Sequence, residues 1–297
     1  MSVTVRVPAK VNVQLAVGAA RPDGFHDLAN VFLAVSLYDE VTATPAGELR
    51  VTCEGPDAAQ VPLDRTNLAA RAALALAERY GRAPDVHLHI AKDIPVAGGM
   101  AGGSADCAGA LVACDALWGT GASRDELLEI CAELGSDVPF SLVGGAALGT
   151  GRGEKLAELE VGGDFHWVFA LAARGLSTPA VFREFDRLGE GLDIPEPVAD
   201  QAVLDALAKG DPTALAVAVS NDLQPAALSL FPELGDTLAA GRAAGALAAL
   251  VSGSGPTTAF LAADAGSASD IAGVLRASGT CRDVRTAVGA AAGATVV

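Results

Sequence analysis

Aromatic side chains are scarce in this chain: Phe, Trp and Tyr together make up 4% of its 297 residues. Hydrophobic residues still reach 51%, so a sizeable core can form, but it must be built mainly from Ala, Val and Leu. Basic residues are also in short supply, 20 Lys and Arg against 36 Asp and Glu, for a formal net charge of −16. A field of that sign disfavours nucleic acid and anionic membrane, and neither is expected as a partner. A phosphorylated small molecule stays possible, because backbone N–H groups and one or two placed cations can hold phosphate locally. The cysteines are few and odd in number, Cys53, Cys107, Cys114, Cys131 and Cys281, with no C-x-x-C pair. Reduced, buried thiols suit that set better than a disulfide frame or a metal site.

Long apolar runs are missing too. The Ala-rich stretch Ala239–Val251 contains Arg and Gly and is too short to span a bilayer. The chain opens Met1-Ser-Val-Thr-Val-Arg-Val7, which alternates like a strand instead of showing a basic region before an apolar block. The expectation is a soluble, cytoplasmic protein, with monomer and homodimer both left open. Two familiar nucleotide signatures are absent as well. There is no G-x-x-x-x-G-K-[ST] and no G-x-G-x-x-G, which argues against a P-loop NTPase and against a Rossmann dinucleotide site.

What is present begins with a strand. Val3, Val5, Val7, Ala9, Val11, Val13 and Leu15 hold odd positions, while Thr4, Arg6, Lys10, Asn12 and Gln14 hold even ones. Period two over that length predicts a long strand with one buried face and Lys10 and Asn12 pointing the same way. Arg21-Pro-Asp-Gly24 reads as a turn, and Val31–Val35 and Asp39–Thr44 as further strands. Leu68–Tyr80 is an amphipathic helix stopped by Gly81. Val86–Ile90 alternates again, placing His87 and His89 on one polar face without a third metal ligand nearby. Ser104–Trp118 has helical spacing, and Ser123-Arg-Asp-Glu126 is a capping box opening a helix to Leu134.

Near residue 155 the texture changes. Strands are expected at Leu156–Val161, His166–Ala172, Ala259–Ala262 and Arg282–Ala287, and helices at Thr178–Asp186, Val198–Lys209, Pro212–Ala218, Pro232–Ala244 and Ala268–Ala277. Strand-rich halves with helices laid against them predict an α+β protein of two domains, 1–155 and 156–297.

The chemistry-bearing feature is the Gly-rich run Ile94-Pro-Val-Ala-Gly-Gly-Met-Ala-Gly-Gly-Ser104, between a strand and a helix. Gly98, Gly99, Gly102 and Gly103 permit positive φ, so consecutive N–H groups can converge on one anion beside a helix N-terminus. Taken alone, the run suits a phosphate cradle and a flexible connection equally well. Lys10 alone reads equally as a solvated strand lysine, and Asp137 as a helix N-cap before Pro139.

Three segments taken together point further. Pro8-Ala-Lys-Val-Asn12, Pro95-Val-Ala-Gly-Gly-Met-Ala-Gly-Gly-Ser-Ala105 and Val251-Ser-Gly-Ser-Gly-Pro256 resemble, in order and spacing, the three motifs of the GHMP kinases. The resemblance spans almost the whole chain. It implies the two-domain GHMP kinase fold, an active site in the cleft between domains, and ATP-dependent phosphoryl transfer to an alcohol with Mg²⁺. Within that superfamily, Arg21-Pro-Asp-Gly-Phe-His-Asp27, Gly135-Ser-Asp-Val-Pro-Phe140, Ser177-Thr-Pro-Ala-Val-Phe182 and Asn221-Asp-Leu223 are similar to segments of the members that act on a cytidine-diphosphate-linked methylerythritol. Those members belong to the non-mevalonate isoprenoid route. Another GHMP kinase, acting on homoserine, mevalonate or a sugar, and a catalytically silent binding module are the alternatives.

The resemblance also implies roles. Asp137 is the base or orienting carboxylate, with Lys10 beside it. Pro95, Val96, Ala97, Gly98, Gly99, Met100, Ala101, Gly102, Gly103, Ser104 and Ala105 hold the ATP phosphates, with Ser104 also a candidate Mg²⁺ ligand. Asn67 and Lys92 are candidates for the adenine side. Phe25, His26 and Phe182 form the cytidine site, Thr178 and Asn12 contact the substrate, and Gly253, Ser254 and Gly255 lie close to its diphosphate. Three departures stand out: Phe25 replaces the usual Tyr, Ala101 a Leu and Asp106 an Asn. Phe25 keeps stacking but loses a hydroxyl, and Asp106 brings a negative charge that must point away from the phosphate loop or help hold a metal.

Overall fold

The computed structural model describes residues 1–297. Its first strand, β1 (Val3–Ala20), pairs antiparallel along most of its length with β2 (His26–Pro45). Val5, Val7, Ala9, Val11 and Val13 are fully buried, as the alternation requires. The even positions differ from expectation, because Lys10, Asn12 and Gln14 are buried as well. A second set of segments covers that face. Gln14 donates to the Val198 carbonyl and accepts from the Asp200 N–H, each at 2.8 Å, and β8 (Ser220–Asn221) pairs with Gln14 and Leu15.

The two strands expected at 31–35 and 39–44 are one. Pro8 faces Tyr38 while Ala9 faces Val35, so extra residues on β2 form a bulge that bends the strand without ending it. β4 (Val86–Ala91) and β3 (Arg50–Glu54) extend this sheet on one side of β2, and β5 (Ala146–Thr150) and β6 (Lys155–Leu159) on another. β12 (Thr295–Val296) returns to pair with β1, so both β8 and β12 join late chain to early sheet. His87 and His89 lie on β4, bridged by the Thr52 hydroxyl at 2.8 and 2.9 Å, and no group of three metal-ligating side chains occurs in the protein.

α1 (Leu68–Arg79) and α2 (Gly102–Trp118) cover the first sheet. α2 is apolar almost all round and is buried accordingly. It approaches closely because Gly109 has no side chain: a Cβ there would lie 2.9 Å from both Val7 and Val41. α3 (Arg124–Leu134) begins with the expected capping box, Ser123 and Glu126 each bonding the other's backbone N–H. α4 (Val138–Val143) follows directly. All five cysteines are free; burial pushes Cys114 and Cys131 up to about 12.

The second half forms an antiparallel sheet in the order β11 (Asp283–Gly289), β7 (Phe165–Leu171), β10 (Thr258–Ala262), β9 (Ala248–Val251). α5 (Thr178–Leu188), α6 (Gln201–Lys209), α7 (Pro212–Ala218), α8 (Gln224–Leu230), α9 (Leu234–Ala243) and α10 (Ala265–Ser278) complete it. α8 and β9 were not expected, since each is a short Ala-rich stretch whose periodicity is masked by small residues. Trp167, Phe169, Leu207 and Leu261 share one continuous core with Val5, Leu33 and Leu111, so the two halves are packed into each other.

α9 meets β10 at Gly241, where a Cβ would fall 2.1 Å from the Phe260 ring. Gly241→Ala forces that ring off its rotamer. The expected cost is about 1–3 kcal/mol, read as a lower urea midpoint at an unchanged m-value.

Candidate active site

A cleft of about 620 Å³ is lined by residues from both halves. β1 contributes Lys10 and Asn12, the Gly-rich loop contributes Pro95, Ala97 to Gly99 and Ala101 to Ser104, and the start of α4 contributes Ser136 and Asp137. Thr178, Phe182, Arg183 and Asp186 come from α5, Phe25 from the turn between β1 and β2 and His26 from the start of β2, and Gly253 and Ser254 from the loop after β9.

The Gly-rich loop works differently from expectation. Positive φ occurs at Ala97 (52°), Gly99 (75°) and Ala101 (61°), while Gly98, Gly102 and Gly103 do not need it. Gly98 and Gly102 are small for another reason. A Cβ at Gly98 would lie 2.9 Å from Pro95 Cβ, and one at Gly102 would lie 2.9 Å from Lys92 Nζ. Gly99 meets both demands, since a Cβ there would lie 2.1 Å from the Ser252 carbonyl oxygen. α2 starts at Gly102, two residues before the expected Ser104, and its N-cap is Ala101, which has no side-chain acceptor. The first-turn N–H groups therefore have no capping side chain, in contrast with α3, and face the cleft where an anion can take that place.

Lys10 is buried at the other side of this turn. Its Nζ donates to Asn12 Oδ1 at 2.7 Å and to the Gly99 carbonyl at 3.0 Å, and lies 3.6 Å from Asp137 Oδ2. Burial lowers the Lys10 pKa, with Asp137 opposing that shift. Asp137 occupies the N-cap position of α4 but its side chain makes no capping hydrogen bond, so the carboxylate is left facing the cleft. Asn12 Nδ2 donates to Asn30 Oδ1 at 2.7 Å, which fixes the amide orientation; Asn30 also lines the cleft and was not singled out from sequence.

At the far end His26 Nδ1 lies 2.9 Å from the Gly18 carbonyl, and its ring stacks on Phe182 with centroids 5.1 Å apart. Asp186 Oδ1 is 3.4 Å from His26 Nε2. Phe25 is 48% exposed and its ring lies under the Arg152 guanidinium at 5.1 Å. Arg152, Arg183 and Asp186 are further cleft residues that sequence reasoning passed over; Arg183 directly follows the segment ending at Phe182, and the scarcity of cations in an acidic chain was the available signal. Thr178 Oγ1 and Ser254 Oγ are 2.8 Å apart, joining α5 to the second Gly-rich loop, which Asn221 holds through the Val251 and Gly253 carbonyls.

Several expected site residues do not line the cleft. Met100 and Ala105 are fully buried, and Val96 and Gly255 lie behind the loops. Asn67 caps α1, accepting from the Ala69 and Ala70 N–H groups. Lys92 is buried, paired with the Asp39 carboxylate and with its Nζ 2.9 Å from Asp106 Oδ2. Asp106 thus points away from the cleft. Burial pushes its carboxyl up to about 8, against the pull of Lys92.

Models of known families match two parts of the chain: the GHMP kinases N terminal domain over residues 67–145 and the GHMP kinases C terminal over 203–281. The chain is 94% identical to 4-diphosphocytidyl-2-C-methyl-D-erythritol kinase of Streptomyces coelicolor, covering all of both chains. It is 63% identical to the protein of the same name from Thermobifida fusca, covering 100% of this chain and 98% of that one. Among solved structures, 4-(cytidine 5'-diphospho)-2C-methyl-D-erythritol kinase superposes with a TM-score of 0.79 at 33% identity, covering 97% of this chain and 99% of the other. Homoserine kinase from Cytophaga hutchinsonii has the same fold, with a TM-score of 0.75 at 20% identity and coverage of 100% and 97%.

Two measurements test this geometry. Gly99→Ala adds a Cβ where the backbone is left-handed and where Ser252 leaves no room. It should weaken ATP binding by at least about tenfold in calorimetry, a loss of about 1.4 kcal/mol. Asp106 holds a proton in the folded protein that the unfolded chain releases near pH 4, so its contribution makes stability fall as pH rises between about 4 and 8. Asp106→Asn leaves Lys92 paired with Asp39 alone, and its melting temperature should vary less between pH 5 and 8 than that of the wild type, by roughly the slope one proton contributes.

Proposed function

Because the chain belongs to the 4-diphosphocytidyl-2-C-methyl-D-erythritol kinases, a branch of the GHMP kinases, we propose that its cleft moves the γ-phosphoryl group of ATP onto the 2-hydroxyl of that cytidine-diphosphate-linked substrate. The products are the 2-phosphate and ADP, a step in forming isoprenoid precursors by the non-mevalonate route. One observation carries the assignment of residues: the uncapped first turn of α2, the Lys10 ammonium and the Asp137 carboxylate all face one cleft, with Lys10 and Asp137 3.6 Å apart.

Phosphoryl transfer needs a positioned hydroxyl, a group to take or orient its proton, and positive potential where charge develops. Asp137 receives the hydroxyl proton, and Lys10 balances the charge between that carboxylate and the incoming phosphoryl oxygens. Backbone N–H groups from Gly99 to Ser104 hold the ATP phosphates, so an acidic protein can bind a polyanion without a basic surface. No cluster of three acidic, histidine or cysteine side chains exists to cage a metal, and the Ser104 hydroxyl, which lines the cleft, would be the side chain of the Gly-rich loop to hold Mg²⁺ there. When bound it supplies charge neutralisation on those phosphates.

Phe25, His26 and Phe182 take the cytosine, by stacking and by hydrogen bonding to the base edge. Asn12, Thr178 and the Gly253–Gly255 loop take the diphosphate and erythritol portions. No helix of the protein is long and apolar enough to cross a membrane. The same reading has the protein act in the cytoplasm, as a monomer or homodimer, on a free small molecule.

Incubation with Mg-ATP and a panel of the cytidine compound, mevalonate and homoserine should release ADP with the cytidine compound alone; silence with that compound ends the proposal. Asp137→Asn should lower kcat by about 10²–10⁴-fold with little change in ATP affinity, whereas equal loss of both would make Asp137 structural. His26→Ala should raise the KM for the cytidine substrate by about tenfold at nearly constant kcat.

A further inference from the structure

The phosphate loop must present its later N–H groups to the cleft, yet its first residues carry N–H groups of their own. Those of Asp93 and Ile94 are accepted by a single oxygen, Asp39 Oδ1, at 2.7 and 2.9 Å. The other oxygen of Asp39 pairs with Lys92 Nζ. Asp39 lies on β2 with no exposed surface, far in sequence from the loop it contacts. Lys92 Nζ in turn reaches Asp106 Oδ2 at 2.9 Å, on the second turn of α2, and sits where Gly102 has no side chain. One buried carboxylate–ammonium pair therefore touches the loop before its first glycine and the helix after its last.

We propose that Asp39 is a positioning residue for phosphoryl transfer: with Lys92 it ties the entry of the phosphate loop to the start of α2 and so sets the direction in which the loop's N–H groups point. This rests on reading the Gly-rich loop as the ATP phosphate site. The physical reason is directional. Two adjacent N–H groups converging on one carboxylate oxygen turn the chain at Asp93 and Ile94 toward the sheet, and the residues that follow must then turn back toward the cleft. The turn back is made at Ala97, Gly99 and Ala101, the three positions of positive φ in the loop. A charged acceptor holds two N–H groups more firmly than a neutral one, because charge-assisted bonds are shorter and stronger. The carboxylate can stay buried because Lys92 pairs with it at no exposed surface. Asp39 lines no part of the cleft.

The test compares Asp39→Asn and Asp39→Ala with the wild type, in ATP binding, in KM for each substrate and in amide hydrogen exchange. Asn keeps a neutral acceptor and Ala keeps none. The expected order is a KM for ATP raised about two- to fivefold in Asn and tenfold or more in Ala, with the KM for the cytidine substrate within about twofold of wild type. Exchange at residues 92–96 should quicken in both variants while that of residues 26–35 is unchanged. If Ala does not fold, the difference between Asn and the wild type decides. An unchanged KM for ATP in Asn, or equal rises in both KM values, overturns the proposal. A wild-type protein that fails to bind ATP overturns this proposal and the phosphate-loop reading together, whereas normal wild-type binding with an unchanged Asn variant overturns only the role of Asp39.

Discussion

The contact on which the site depends is the approach of two backbone turns. Gly99 lies so close to Ser252 that no side chain fits between them, and the Gly99 carbonyl accepts from Lys10 Nζ at 3.0 Å and from Ser252 Oγ at 3.1 Å. The Thr257 N–H donates to the Gly98 carbonyl at 3.3 Å in the same region. The loop from the first half is thereby held by the second half and by β1 at once. Remove this approach, and the uncapped turn of α2, the Lys10 ammonium and the Gly253 turn no longer face a common space.

Charge is handled in the same economical way. The protein carries a formal net charge of −16, yet its buried cations are each paired locally. Lys10 and Lys92 are each buried with carboxylates and hydrogen-bond acceptors around them, so neither desolvated ammonium is left uncompensated. Arg282 does the same at the back of the Gly-rich loop. It grips Asp57 through two bonds of 2.8 and 2.6 Å, which holds Asp57 below the usual carboxylate range, and Asp57 in turn accepts from the Val96 N–H at 3.3 Å. In the proposed function, attraction for phosphate falls to backbone N–H groups, which carry no net charge and require no basic surface.

The strongly periodic parts of the fold were legible along the chain. The alternation from Val3 to Leu15, the capping box at Ser123, the Gly81 stop after α1 and the apolar helix after the Gly-rich loop all state a local preference that tertiary packing did not overrule. Less legible were the bulge in β2, where nothing in Ser36 or Leu37 announces an extra residue, and α8, whose seven residues span too few turns for a helical period to show. The chemistry of the site was legible as three ordered motifs. The identity of each contact was not, since Lys92 sits beside the loop in sequence but turns its ammonium under it, toward Asp39 and Asp106.

By itself the sequence determined the strongly periodic elements and the position of the Gly-rich loop between a strand and a helix, because these follow from local periodicity and glycine placement; the family of chemistry came from the resemblance carried by three ordered motifs. Only the tertiary structure decided which polar residues meet. Lys10 and Asp137 are more than a hundred residues apart, as are Lys10 and the Gly253 turn, and no local preference encodes such a meeting. It also decided that the even face of β1 is buried. A period of two says that a strand has two faces; what covers the second is settled by segments such as Val198–Asp200 and Ser220–Asn221 that arrive from the far end of the chain.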